Sequence, residues 1–155
     1  MCDDQDKKLI KSIEKLLHFN TNATDEEISV NAVQFIQDQR HILPDRFLHI
    51  KNTDKKAFFV VGSEAAYCLG RIKHIDVIDH EDIKKICPLY GGSNSDLFHR
   101  AAPDGVSILL DYVLKNHISF VLNDDSAEHQ KNIERAASEG FVVEIVNISR
   151  QGELI

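Results

Sequence analysis

The stretch from Lys56 to Leu69, KAFFVVGSEAAYCL, constrains the fold more than any other part of the chain. An apolar run leads into a glycine and then into small residues able to open a helix. This is the strand, loop and helix order of the phosphate-binding motif G-x-x-x-x-G-K-[ST]. Gly62 stands at the first glycine of the motif and Ser63 follows it, but the second glycine falls on Tyr67, the lysine on Cys68 and the hydroxyl residue on Leu69. Ala65, Ala66, Tyr67, Cys68 and Leu69 supply no glycine for the loop, no cation for the phosphate and no hydroxyl for magnesium. The expectation is a phosphoryl-transfer scaffold that has lost the transfer.

A chain of 155 residues, 43% of them hydrophobic, is long enough for one domain with a real core. The net charge of -7 argues against nucleic acid or an anionic membrane as the main partner, since both are bound through clustered Lys and Arg. It favours a protein partner with a basic surface. MCDDQDKK has no apolar core for a signal peptide, and no apolar run approaches the roughly 20 residues of a membrane span, so a cytoplasmic location is expected. Cys2, Cys68 and Cys87 are irregularly spaced and odd in number, which suggests reduced thiols rather than disulfides or a zinc site.

Leu9, Ile10, Ile13, Leu16 and Leu17 recur at helical spacing and predict an amphipathic helix over 6–18, a helical extension (1–23) to a core spanning 24–155. This helix either packs as ordinary core or stoppers a cleft. Thr24 with Glu27 makes a capping box that starts a helix running to about Arg40, and Pro44 opens a short third helix. Ala57–Val61, Ile75–Ile78, Ile118–Leu122 and Val142–Ile148 read as buried strands, and 104–116 and 125–139 as helices, the last ending at Gly140. Apolar strands alternating with helices predict an α/β fold, a parallel sheet of about four strands covered on both faces.

With this layout, residues from about Val30 to Ser149 resemble the zeta toxin family of P-loop kinases, the toxin half of epsilon/zeta toxin-antitoxin pairs. The resemblance rests on an ordered series. Ala32 to Ile36 carries A-x-x-F-I, and KKAFFVVGSEAA replaces the strand and P-loop. Val77 to Gly92 stands for an I-D-x-D-x-x-R segment and P-x-Y turn, and Asn94 to Ala102 follows. Leu109 to Ser126 replaces a strand ending in D-G-T, and Asn132 to Ala136 leads to the fourth strand. The resemblance implies a P-loop-kinase-like sheet with the family's strand order 2-3-1-4-5, cut after the fourth strand so that Val142–Ile148 lies at an edge, and an ancestral activity, ATP–magnesium phosphorylation of UDP-activated amino sugars. It places the family's base on Glu81, its arginine on Lys84 and its D-G-T on Asn123, Asp124 and Asp125. The family's later arginines and lid have no counterpart before the chain stops, so the resemblance implies a truncated member.

Other clusters have two readings each. Cys68 near a helix N-terminus could be a nucleophile, but a buried inert thiol is favoured. His74, Asp76, Asp79, His80, Glu81 and Asp82 suggest a metal site, yet carboxylates at a helix start are what the macrodipole favours, and the expectation is no metal. Asp124 and Asp125 could be a carboxylate pair for acid-base work, but the helix-cap reading is favoured, and Gly91 and Gly92 read as either a phosphate loop or a tight turn.

The function expected is therefore an inactive pseudokinase that binds a protein and antagonises a toxin, a kinase or a host defence complex, with no cofactor. Residual binding of a UDP-sugar or nucleotide is the alternative, and an active small-molecule kinase a more distant one. Val142, Glu144, Val146 and Ile148 are expected to form an edge strand that pairs with a partner or with a second copy.

Overall fold

The structure, a computed structural model, describes residues 24–123 and 128–146. The amphipathic segment 6–18, Asp124, Asp125 and Ile148 lie outside the described residues. The described backbone forms two compact units interleaved along the chain: one takes residues 24–44 together with His80–Ile108, the other Asp45–Asp79 and the described residues from Leu109 onward.

The first unit is helical. Helix α1, Asp25–Asp38, starts where Thr24 Oγ1 accepts the Glu27 N–H at 3.1 Å, as the capping pattern predicts. Its apolar face, Ala32, Phe35 and Ile36, is buried, and the helix packs against a 3₁₀ turn, Ser95–Phe98. Phe98 is fully buried there, edge-on to Tyr90 at 5.5 Å. Helix α2 spans Leu43–Phe47.

The second unit holds a four-stranded, all-parallel sheet in the order β2-β3-β1-β4, made of β1 (Lys56–Val60), β2 (Asp76–Asp79), β3 (Phe120–Asn123) and β4 (Val142–Val146). Helix α3, Ser63–Lys73, connects β1 to β2. Between β2 and β3 the chain runs through α4 (His80–Ile86), the 3₁₀ turn and α5 (Ala101–Lys115), and α6 (His129–Ser138) leads into β4. On one face of the sheet, Phe58, Val60 and Val121 pack with Ala66 and Leu69 of α3 and with Ile75, and Ala65, Val77 and Val146 close the margin. On the other, Phe59 meets Phe120 and His129 edge-on at 6.0 and 5.8 Å, and Phe120 leans on Phe141.

Both faces are apolar, which is why the strands read as continuous apolar runs rather than alternating ones. Helix α3 lies so close to β2 that a Cβ on Gly70 would overlap Val77 Cγ2 and crowd the Ile75 carbonyl oxygen at 3.2 Å.

Element boundaries differ from the sequence reading: β2 and β3 begin at Asp76 and Phe120 rather than at Ile75 and Ile118. Helix α5 begins at Ala101 rather than at Asp104, because Pro103 falls in its first turn, where a missing N–H costs no helical bond. Helix α6 is described from His129, with Glu128 at its N-cap, and the expected start at Asp125 lies outside the described residues. No helix of the described residues is long and apolar enough to cross a membrane.

Candidate functional site

Only Val61 and Gly62 separate β1 from α3. Gly62 is the N-cap and holds φ 118°, ψ 125°, a conformation that a side chain would strain. Residues 63–67, which the phosphate motif would need as a bowed loop, are already helix, and the Ala66 N–H is bonded to the Gly62 carbonyl oxygen at 3.0 Å. A phosphate loop works by turning successive N–H groups inward on an anion, and a helical ladder turns them along its own axis. Glu64 adds an exposed carboxylate to the first turn, favourable to the helix dipole and unfavourable to a bound anion.

The five altered motif residues have structural places. Ala66 and Leu69 are buried in the core and Ala65 packs at its edge. Tyr67 is half-buried, its hydroxyl oxygen buried without a hydrogen-bond partner among the described residues. Cys68 corrects the sequence reading twice: it is the sixth residue of α3 rather than near its N-terminus, and it is exposed rather than buried. An outward-facing helical position explains both. Cys87 is the buried thiol, pushed up to about 12 by burial and donating to the Ile83 carbonyl oxygen at 3.6 Å.

The loop's backbone donor is used inside the protein. Asn123, at the end of β3, accepts the Gly62 N–H on Oδ1 at 2.8 Å, and its Nδ2 donates to Ser63 Oγ and to Asp79 Oδ1, both at 3.2 Å. Since the N–H of Gly62 can only donate, the amide orientation follows from the network. One amide thus joins the C-terminal ends of β1, β2 and β3, where open α/β sheets bind their ligands. Asp79 is buried there at 2% exposure.

In the first unit, Lys84 is 3% exposed. Its Nζ lies 3.1 Å from Glu81 Oε1, 3.1 Å from Ser95 Oγ and 2.9 Å from His99 Nδ1. These three acceptors use the three donors of an ammonium. His99 Nδ1 must then accept, which leaves Nε2–H to donate to Asp96 Oδ1 at 3.2 Å. Glu81 and Lys84 are therefore paired with each other. Ser95, Asp96 and His99 were missed in the sequence; the i, i+3 spacing of Asp96 and His99 was the available signal.

The metal candidates do not converge: among the described residues no three His, Cys, Asp or Glu side chains could hold an ion together. Asp76 is engaged elsewhere, its carboxylate accepting the N–H groups of His49, Ile50 and Lys51 at 2.9–3.2 Å. His74 is the left-handed C-cap of α3. Asp82 pairs with Lys85 at 3.9 Å, and burial raises its carboxyl against the lowering effect of that lysine. Gly91 and Gly92 form a turn in which the Gly91 N–H donates to Asn94 Oδ1 at 2.8 Å.

Of the expected interface residues, Val142 and Glu144 are exposed. Val146 instead packs against the core, because its side chain shares the α3 face with Val60. Ile145, absent from the expected set, is 55% exposed.

What fold and site define is a parallel α/β protein with a self-bonded polar cluster at the strand ends. No family model, no curated protein and no solved structure matches the chain.

Proposed function

We propose that the chain is a catalytically inactive, zeta-toxin-like pseudokinase that acts in the cytoplasm by binding another protein, as an inhibitor or antagonist of a toxin, a kinase or a host defence complex. The observation that carries the reading is the two-residue connection after β1, whose Gly62 N–H is bonded to Asn123 while residues 63–69 are helical. Phosphoryl transfer depends almost wholly on positioning and on neutralising charge. A connection with no cation, no magnesium-binding hydroxyl and a carboxylate in the first turn of the helix supports neither. Lys84, on which the resemblance places the family's arginine, spends its donors on Glu81, Ser95 and His99. The net charge of -7 favours a partner with a basic surface.

The test is incubation with γ-labelled ATP, magnesium and a UDP-activated amino sugar. No labelled sugar is expected. The combined substitutions Tyr67→Gly, Cys68→Lys and Leu69→Thr should not restore transfer, since these positions lie in the second helical turn. Labelled sugar from the unmodified protein would overturn the proposal.

A further inference from the structure

Strand β4 is one of the two edge strands of the sheet and, among the described residues, pairs with β1 alone. In a parallel pair each residue turns its N–H and C=O to one side and the next residue turns them to the other. The Val142 N–H donates to the Lys55 carbonyl oxygen at 2.9 Å, so Val142, Glu144 and Val146 present their backbone groups to β1. Val143 and Ile145 direct theirs to the outer side. The side chains bordering that side are apolar on both faces of the sheet: Val142 is 61% exposed on the α3 face and Ile145 is 55% exposed on the opposite one. Lysine, proline and bulges are the usual devices that close an edge, and β4 carries neither Lys nor Pro. Its one charge is Glu144, exposed at the centre.

We infer that this edge receives an extended segment of a partner protein as a fifth strand, and that the segment is apolar with a basic residue opposite Glu144. This deepens the non-catalytic reading above and rests on it. The central carboxylate selects the occupant. A two-fold pairing of β4 with a second copy about its midpoint would set Glu144 against the same carboxylate, and like charges directly opposite destabilise a strand pair. The chain's net charge of -7 adds to that repulsion. A Lys or Arg at the same place gains instead, with flanking apolar residues covering Val142 and Ile145.

The probe is a capped heptapeptide, Thr-Val-Ile-Lys-Ile-Val-Thr, titrated into the full chain beside a control with Glu in place of Lys. Saturable binding of the Lys peptide is expected, weakened roughly five- to tenfold for the Glu peptide. Glu144→Lys should reverse that order. Ile145→Pro should abolish binding with the circular dichroism of the native protein retained, since the lost N–H faces outward. Residue-resolved amide exchange on the unmodified protein gives an independent reading. Val143 and Ile145 should exchange fast and Glu144 and Val146 slowly, and the probe should slow the first pair.

Equal affinity for the two peptides, or no saturable binding, would overturn the inference. So would protected Val143 and Ile145 amides in a monomer, which would mean that the chain covers its own edge. A dimer by light scattering with the same protection would make a second copy the occupant and overturn it as well. Sugar phosphorylation, the failure of the underlying reading, is measured without peptide and is separable from each of these.

Discussion

The side-chain oxygen of Asn123 accepts the backbone N–H of Gly62 at 2.8 Å, joining the end of β3 to the turn after β1. The same amide donates to Ser63 and Asp79, so the place where a nucleotide's phosphates would enter a P-loop protein is a closed network of the protein's own groups. A donor committed to Asn123 is not available to an anion.

Asn123→Ala should therefore destabilise the fold. It leaves the Gly62 N–H without its acceptor and removes a donor from buried Asp79, an effect of about 1–3 kcal/mol. Urea unfolding measures it, and a loss below about 0.5 kcal/mol, the range of neutral surface substitutions, would show that the network is dispensable.

Gly70→Ala distinguishes propensity from packing. Within a helix, Ala is favoured over Gly by about 1 kcal/mol. The added Cβ would, however, overlap Val77 Cγ2, a stiff β-branched side chain, and crowd the Ile75 carbonyl oxygen. Destabilisation by about 1–3 kcal/mol is expected, and a stabilised variant would refute the close approach of α3 to β2.

Lys84→Met should cost more than Glu81→Gln in thermal unfolding. Removing the buried ammonium strands three acceptors at once, about 2–4 kcal/mol, whereas the Glu81 side chain is 45% exposed and solvent replaces much of what it loses. Equal shifts in Tm would mean that Lys84 is not the hub of its cluster.

The two described thiols should behave oppositely. In a Cys2→Ser background at pH 8, a thiol reagent should modify Cys68 quickly, and Cys87 only on unfolding. Cys87 also sets a pH dependence. Burial raises its folded pKa from 9.0 to about 12, so its contribution is complete below pH 9 and is lost as pH rises from there towards 12. Over that window the stability difference between the parent and Cys87→Val should shift by about 1.4 kcal/mol per pH unit, against the parent. A constant difference would contradict the burial of Cys87.

The parallel sheet was legible because apolar runs such as Ala57–Val61 and Ile118–Leu122 have no other use than burial on two faces, and Thr24 with Glu27 marks a helix start by local chemistry alone. The shape of the turn after β1 was not. A glycine followed by small residues suits both a wide loop and an immediate helix, and what decides between them is Asn123, 61 residues away, taking the Gly62 N–H. The Lys84 cluster was hidden for the same reason, since Ser95 and His99 are brought to it by a 3₁₀ turn that no periodicity announces. Cys68 was misread because the helix starts earlier than the motif implies, which carries the thiol round to the solvent side.

The central claim is that the turn at Gly62 holds no nucleotide, and calorimetric titration of ATP–magnesium into the full chain tests it most directly. No saturable heat is expected at ATP concentrations up to the millimolar range, and no rise in Tm, whereas a ligand present at 100 times its Kd would add about 2.7 kcal/mol of stability. A micromolar binding isotherm that disappears in Asn123→Ala or Ser63→Ala would contradict the account.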